Sequence, residues 1–203
     1  LLFGPNGRIV LEEGNGTLHG AQLILESGSK LTAAADCMWK GIEVRGNKLF
    51  SSNNSRQAKL IVESGVLIEH AHTGILLGKW NSIYYSTCGE PTWSIGQSPF
   101  DLSGSGGVLE CNNATFQNNA IDIRFAPYPQ FLNSSRIENC SYHNGSGFLG
   151  GALRDKRYLL SGSPLYFVSP FFAPPNALQR SSVAIYDWNN YGITIFGNKI
   201  GRA

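Results

Sequence analysis

Charge is what this chain has least of. Only 15% of its 203 residues are Asp, Glu, Lys or Arg, against roughly 25% in ordinary globular domains. The formal net charge is +2 and no run of Lys or Arg stands out. An electrostatic nucleic-acid footprint is therefore disfavoured. Long apolar runs are missing too: nothing approaches the roughly 18 residues of a membrane span, and none is expected. No apolar pattern of period 3.6 persists for about ten residues, so helix content should be close to nil. The four cysteines, Cys37, Cys88, Cys111 and Cys140, show no Cys-x-x-Cys spacing and no His at zinc-site distance, which argues against a structural metal. Their even number leaves one or two disulfides open. Cys111 and Cys140 each follow or flank Asn in similar turn contexts, and the alternative for them is a pair of buried thiols on neighbouring coils. The chain starts Leu1-Leu-Phe-Gly-Pro-Asn6 without Met or a signal peptide and stops at Gly201-Arg-Ala203. Both ends read as cut, as in a mature or partial piece of a longer protein.

What replaces charge is turn chemistry. There are 24 Gly, with abundant Ser and Asn, while the apolar fraction of 42% is close to the globular norm. Many corners and few charges suit an all-β chain. Gln22-Leu-Ile-Leu-Glu-Ser-Gly28 returns 37 residues later as Lys59-Leu-Ile-Val-Glu-Ser-Gly65, and Gly41-Ile-Glu-Val44 returns 33 residues later as Gly74-Ile-Leu-Leu77. Strand and turn repeated in fixed order at a near-constant period point to a solenoid. Short β-branched strand candidates recur at Arg8–Leu11, Gln22–Leu25, Gly41–Val44, Lys59–Val62, Val66–Glu69, Gly74–Leu77, Gly107–Glu110, Ala120–Phe125, Val183–Tyr186 and Gly192–Phe196. A sandwich would also use such strands, but it needs no near-copy of one coil. A second echo, Gly41-Ile-Glu-Val-Arg-Gly-Asn-Lys48 against Gly192-Ile-Thr-Ile-Phe-Gly-Asn-Lys199, predicts the same corner recurring in register. Asn at the apparent corners, in Asn112-Asn-Ala, Asn118-Asn-Ala and Asn139-Cys-Ser, tolerates a left-handed backbone and can ladder with Asn one coil away.

Three segments carry a resemblance. Ala21-Gln-Leu-Ile-Leu-Glu-Ser-Gly-Ser-Lys-Leu-Thr32, Cys37-Met-Trp-Lys-Gly-Ile-Glu-Val44 and Ala114-Thr-Phe-Gln-Asn-Asn-Ala-Ile-Asp-Ile-Arg124 resemble right-handed parallel β-helix repeat proteins. More narrowly, they are similar to the long secreted cell-surface β-helix proteins of Bacteroidota, with their Trp-x-Gly-Ile and Phe-x-Asn-Asn coils. The match spans about residues 8–77, 107–142 and 183–200. It implies an all-β fold, a right-handed parallel β-helix over residues 1–203, and an extracellular or cell-surface location.

Residues 78–106 and 143–181 break the repeat and read as loop insertions bulging from a corner. Outside them, about 20–25 residues per coil leaves six or seven coils, a stack on the order of 30 Å. The insertions hold the contact candidates: Trp80, Tyr84, Tyr85, Trp93 and Phe100 in the first, Tyr158, Tyr166, Phe167, Phe171 and Phe172 in the second, beside Arg154, Asp155, Lys156 and Arg157. Flat rings stack on sugar faces and planar Arg grips carboxylates, so Trp80, Tyr84, Trp93, Tyr158 and Tyr166 suit a polysaccharide. The competing reading makes these rings a satellite core pinning the loops to the wall.

Glu43-Val-Arg45 and Asp122-Ile-Arg124 each alternate an acid and an Arg on the outward face of a strand. The plain reading is a solvent-facing salt ladder. The sharper one is a lyase site, in which carboxylates on adjacent coils, Asp122 among them, hold Ca²⁺ and Arg124, Arg154 or Arg157 takes the proton α to a uronate carboxyl. Ca²⁺ enters only in that case, and otherwise no cofactor is expected. Glu69-His-Ala-His72, which reads as the corner between two coils, offers His70 and His72 as metal candidates, with a further ligand unassigned. A hydrolase needs clustered Asp, whereas the acids here (Asp36, Asp101, Asp122, Asp155, Asp187) are isolated. The expected function is a structural or adhesive surface module, with polysaccharide as partner. A polysaccharide lyase, less readily a glycoside hydrolase, is the alternative, followed by a filament subunit self-associating through open β-helix ends.

Overall fold

Short runs of Ile, Leu and Val bounded by Gly, Asn and Ser favour extended segments that end abruptly, and such segments build nearly all of this chain. The computed structural model describes residues 1–4, 7–34, 38–80, 84–85, 91–92, 100–119, 121–144, 183–186 and 190–202. The strands in chain order are β1 (Leu2–Phe3), β2 (Arg8–Leu11), β3 (Gln22–Leu25), β4 (Lys30–Ala33), β5 (Trp39–Val44), β6 (Lys59–Val62), β7 (Leu67–Glu69), β8 (Ala71–Leu77), β9 (Lys79–Trp80) and β10 (Tyr84–Tyr85). They continue as β11 (Pro91–Thr92), β12 (Phe100–Asp101), β13 (Val108–Asn112), β14 (Thr115–Gln117), β15 (Ile121–Phe125), β16 (Arg136–Glu138), β17 (Ser141–Asn144), β18 (Val183–Tyr186), β19 (Thr194–Phe196) and β20 (Lys199–Arg202). One 3₁₀ turn, Leu102–Gly104, is the only helical element among the described residues. None of them forms a helix long and apolar enough to cross a membrane.

Three sheets take almost all of these strands, in the orders β18-β15-β8-β5-β2, β19-β16-β13-β6-β3 and β1-β4-β7-β14-β17-β20. Every pairing within them is parallel. From β2 onward the main strands visit the three sheets in strict rotation. The chain therefore returns to each sheet one strand further along. Two antiparallel ribbons, β9 with β12 and β10 with β11, interrupt the rotation between β8 and β13.

Parallel pairing in register stacks like on like. Ile9, Ile42, Ile75, Ile123 and Ile185 form one ladder, and Leu11, Val44, Leu77 and Phe125 run beside it. On the second sheet Leu25, Val62, Cys111, Ile137 and Ile195 line up, and on the third Leu31, Ile68, Phe116 and Tyr142. Side chains from all three sheets meet in one core. Each fully buried Leu or Ile there contributes about 1.5–3 kcal/mol. Trp39 seals one end of that core, stacked on Phe3 with ring centroids 4.2 Å apart and donating its indole N–H to the Glu69 carbonyl at 2.8 Å.

The corners obey the same repetition. Between the second and third sheets the backbone turns at Gly28, Gly65, Asn113, Asn139 and Gly197, all with φ between 53° and 78°. Asn139 Nδ2 donates to Asn112 Oδ1 of the adjacent strand at 3.4 Å, a single Asn–Asn contact, while the corner Asn113 donates to Ser64 Oγ instead. The near-copy at 22–28 and 59–65 pairs residue for residue, from Gln22 with Lys59 to Leu25 with Val62.

Three expectations need correction. The echo of residues 41–48 in 192–199 does not mark one corner, because β5 and β19 lie in different sheets. Gly197 takes a left-handed backbone (φ 65°), whereas Gly46 is there for space: a Cβ would lie 2.3 Å from the Gly106 carbonyl carbon. The strand count is lower than six or seven coils imply, at five in two sheets and six in the third among the described residues. Finally, His143 and Asn144 still pair with Gly201 and Arg202 on β20, so the repeat runs past the expected boundary at residue 143.

Candidate functional site

The outward face of the first sheet carries the acid–Arg pairs, and strand alternation puts them there: Ile42, Val44, Ile121, Ile123 and Phe125 point inward, leaving Glu43, Asp122 and Arg124 on the other side. This face is not a solvent-facing salt ladder. Glu43 is 3% exposed, Asp122 1% and Arg124 0%. A charge removed from water has to be paired or hydrogen-bonded. Glu43 meets that need between two arginines, Arg8 Nη1 at 2.9 Å and Arg45 Nη2 at 2.9 Å, with Arg45 also reaching Glu12 at 2.5 Å. Asp122 accepts from Asn119 Nδ2 at 2.9 Å. The Arg124 guanidinium lies 5.1 Å from the centroid of the Trp80 ring, a cation–π contact.

Trp80 is only 7% exposed and packs with Leu76 and Ala126 in a small second core. Of the proposed sugar-stacking rings it therefore takes the satellite-core role, fixing β9 against the sheet. Tyr84 lies on β10, but its side chain is outside the described residues, as are Trp93, Arg154, Arg157, Tyr158 and Tyr166.

Lyase chemistry would require acids from successive strands at one position. The register places Val10, Glu43, Leu76 and Arg124 in one outward row. Next to Asp122 on β8 stands Gly74, where a Cβ would come within 2.6 Å of the Asp122 carbonyl oxygen. Glu43 and Asp122 are thus in separate rows, each beside uncharged neighbours on β8. Among the described residues no group of three His, Cys, Asp or Glu is placed to hold a metal ion.

The two histidines also part company. His70 forms the corner after β7 with φ 57°, while His72 is buried on β8 with Nδ1 3.4 Å from Thr73 Oγ1. Burial lowers the His70 pKa, with neighbouring Glu69 (3.9 Å) opposing the shift. Glu69 itself is lowered: burial pushes it up, but hydrogen bonds from Lys30 and Thr32 outweigh that, and Lys30 Nζ sits 2.7 Å away.

An open surface does exist on the outer face of the second sheet, and sequence reading passed it over. A groove of about 520 Å³ runs across three strands and is lined by Glu63, Ser64, Glu110, Asn112, Arg136 and Glu138 around Ile61. Lys59 Nζ holds Glu110 at 2.7 Å and Arg136 Nη2 holds Glu138 at 2.6 Å. These groups come from segments up to 79 residues apart in sequence, Lys59 to Glu138, brought together only by the register of β6, β13 and β16. Its signal was the alternation itself, since Ile61, Glu110 and Arg136 occupy one outward row. No protein-family model, curated protein or solved structure matches the chain.

Proposed function

We propose that the chain is a right-handed parallel β-helix serving as a secreted, cell-surface structural or adhesive module, with polysaccharide as its ligand. The observation that carries this reading is the strict rotation of strands through three parallel sheets with in-register apolar ladders inside. Such a rod holds a long, rigid outer wall, and a wall suits contact with an extended polymer better than with a small molecule. The groove over β6, β13 and β16 supports the ligand class: carboxylates and an amide accept from sugar hydroxyls, while Arg136 donates to ring and acid oxygens. The likeness of its coil motifs to secreted Bacteroidota β-helix proteins supports the surface location.

A polysaccharide lyase built on Asp122 and Arg124 is the competing reading. It is weakened by the burial of both groups and by Gly74 in the neighbouring position. End-to-end assembly into a filament is a third reading, in which parallel strand edges pair between copies.

The test is incubation, with and without Ca²⁺, with a panel of acidic and neutral polysaccharides. New reducing ends, unsaturated-uronate absorbance and retention on the immobilised polymers are followed together. Retention without turnover is expected, reduced by Arg136→Ala and Glu138→Ala. Turnover that survives repurification overturns the module in favour of an enzyme. Retention by no polymer overturns the ligand assignment. Electron microscopy of the same preparation decides assembly, and a field of single short particles rules out the filament.

A further inference from the structure

Two of the four cysteines are brought together by the fold. Cys111 ends the inward row of β13 directly beside Ile137 on β16. Three residues beyond Ile137 the chain has turned at the left-handed Asn139, and Cys140 points back into the same core. Their sulfurs are 3.3 Å apart and both side chains are buried. Nothing in a hydrophobic core requires thiols at these two places, since Val62 and Ala114 fill the matching positions one strand below. From this geometry we infer that Cys111 and Cys140 are joined in the mature protein by a disulfide that staples successive strands of the second sheet across the corner.

A disulfide needs sulfurs at about 2.05 Å, so rotation of the two side chains has to close a gap of only about 1.3 Å. The chemistry is thiol–disulfide exchange with a low-molecular-weight disulfide of the glutathione type. Cys140, as thiolate, attacks one sulfur of that disulfide and expels one small thiolate. The Cys111 sulfur then gives up its proton, attacks the Cys140 sulfur of the mixed disulfide and expels the second. The protein loses two hydrogens and the small disulfide becomes two thiols. Cys140 is the attacking group as this corner assembles: the contact with Cys111 and the backbone around Ala114 and Asn113 support its thiolate against burial and lower its pKa to about 7. The same contact, together with burial, holds Cys111 well above its ordinary value. Because both sulfurs are shielded once the strands stack, the bond forms during folding, in an oxidising compartment. This inference does not depend on which ligand the outer wall binds.

The experiment refolds denatured, reduced protein in a reduced/oxidised glutathione buffer, and in parallel with reductant only. Remaining thiols are alkylated under denaturing conditions, and unreduced digests are read by mass spectrometry. The expected result is a peptide pair linking Cys111 to Cys140, lighter by two hydrogens than the separate peptides and released by reductant. Alkylation of both residues after oxidative refolding overturns the inference, and so does a link from either one to Cys37 or Cys88. A Cys37→Ser/Cys88→Ser protein then isolates the staple. Its urea midpoint should rise on oxidation, corresponding to a folding equilibrium constant higher by roughly a hundredfold, and identical midpoints overturn the stapling role. Should that double variant fail to fold, the map of the unaltered chain still decides the pairing.

Discussion

At the scale of single residues, the corners separate two uses of glycine. Gly65 adopts φ 77° with only distant neighbours, and the equivalent corners one and two strands on use Asn113 and Asn139. Gly65→Asn should therefore change stability by less than about 1 kcal/mol. Gly41 differs: it combines φ 97° with a virtual Cβ only 1.6 Å from the Thr73 carbonyl oxygen. Gly41→Ala should destabilise by about 3 kcal/mol or more, from backbone strain plus displacement of β8. Urea unfolding of the two variants side by side checks the contrast. Equal losses would mean that the close approach of β5 and β8 is misplaced.

His70 supplies a pH dependence from the next set of corners, between the third sheet and the first. Burial depresses its pKa below 6.5, and unfolding restores the ordinary value. The unfolded chain then binds more protons on acidification, so this contribution to stability is full above pH 6.5 and is lost as pH falls through the folded value. Asn118 occupies the matching corner on the next strand with φ 55°. His70→Asn should accordingly keep neutral-pH stability and reduce the drop in urea midpoint between about pH 7.5 and about pH 5. An unchanged drop would assign the acid sensitivity to other groups.

At the scale of elements, the third sheet hinges on one buried amide. Asn119 Oδ1 accepts from the Ala71 N–H at 2.8 Å, and its Nδ2 donates to the Ile68 carbonyl and to Asp122 Oδ1, both at 2.9 Å. One side chain thus ties the turn from β7 into β8 to the turn from β14 into β15. Asn119→Ala leaves a backbone donor, a backbone acceptor and part of a carboxylate unsatisfied, and about 3 kcal/mol of stability should be lost. Amide exchange at Ala71 reports it directly: faster exchange there than at Leu60 of the second sheet is expected, and uniform acceleration would contradict the local role.

Elements also show what could be read from the residues. Most strands of the first two sheets were legible because they carry two inward apolar residues each, as in Leu23 with Leu25 or Ile42 with Val44, whereas β16, with Ile137 alone facing inward, was not. Nor was most of the third sheet. β4, β14 and β17 read Lys-Leu-Thr-Ala, Thr-Phe-Gln and Ser-Tyr-His-Asn, each built around a single large core residue between polar neighbours. A strand of three residues presents one side chain inward, which leaves no periodicity to detect. The groove escaped for a related reason, since Ile61, Glu110 and Arg136 gain meaning only through a register that joins distant segments. The burial of Asp122 and Arg124 was likewise hidden: alternation gives the side of the strand, not whether that side meets water.

At the scale of the whole molecule, the claim on which everything else rests is the coil itself, with one strand added to each sheet per circuit. The outward row Ile24, Ile61, Glu110, Arg136, Thr194 crosses five strands of one sheet. Adjacent parallel strands are about 4.8 Å apart, so the first and last members of the row should be separated by about 19 Å at their Cα atoms. Both ends of the row are accessible, and non-canonical spin-labelled residues at Ile24 and Thr194 leave the cysteines untouched. Pulsed electron–electron spin resonance on that doubly labelled protein is the most direct measurement. A single narrow distance close to this separation, after allowance for the label arms, is the expected result. A broad distribution, or a mean beyond about twice that value, would contradict the coil and with it the wall on which a polysaccharide is proposed to lie.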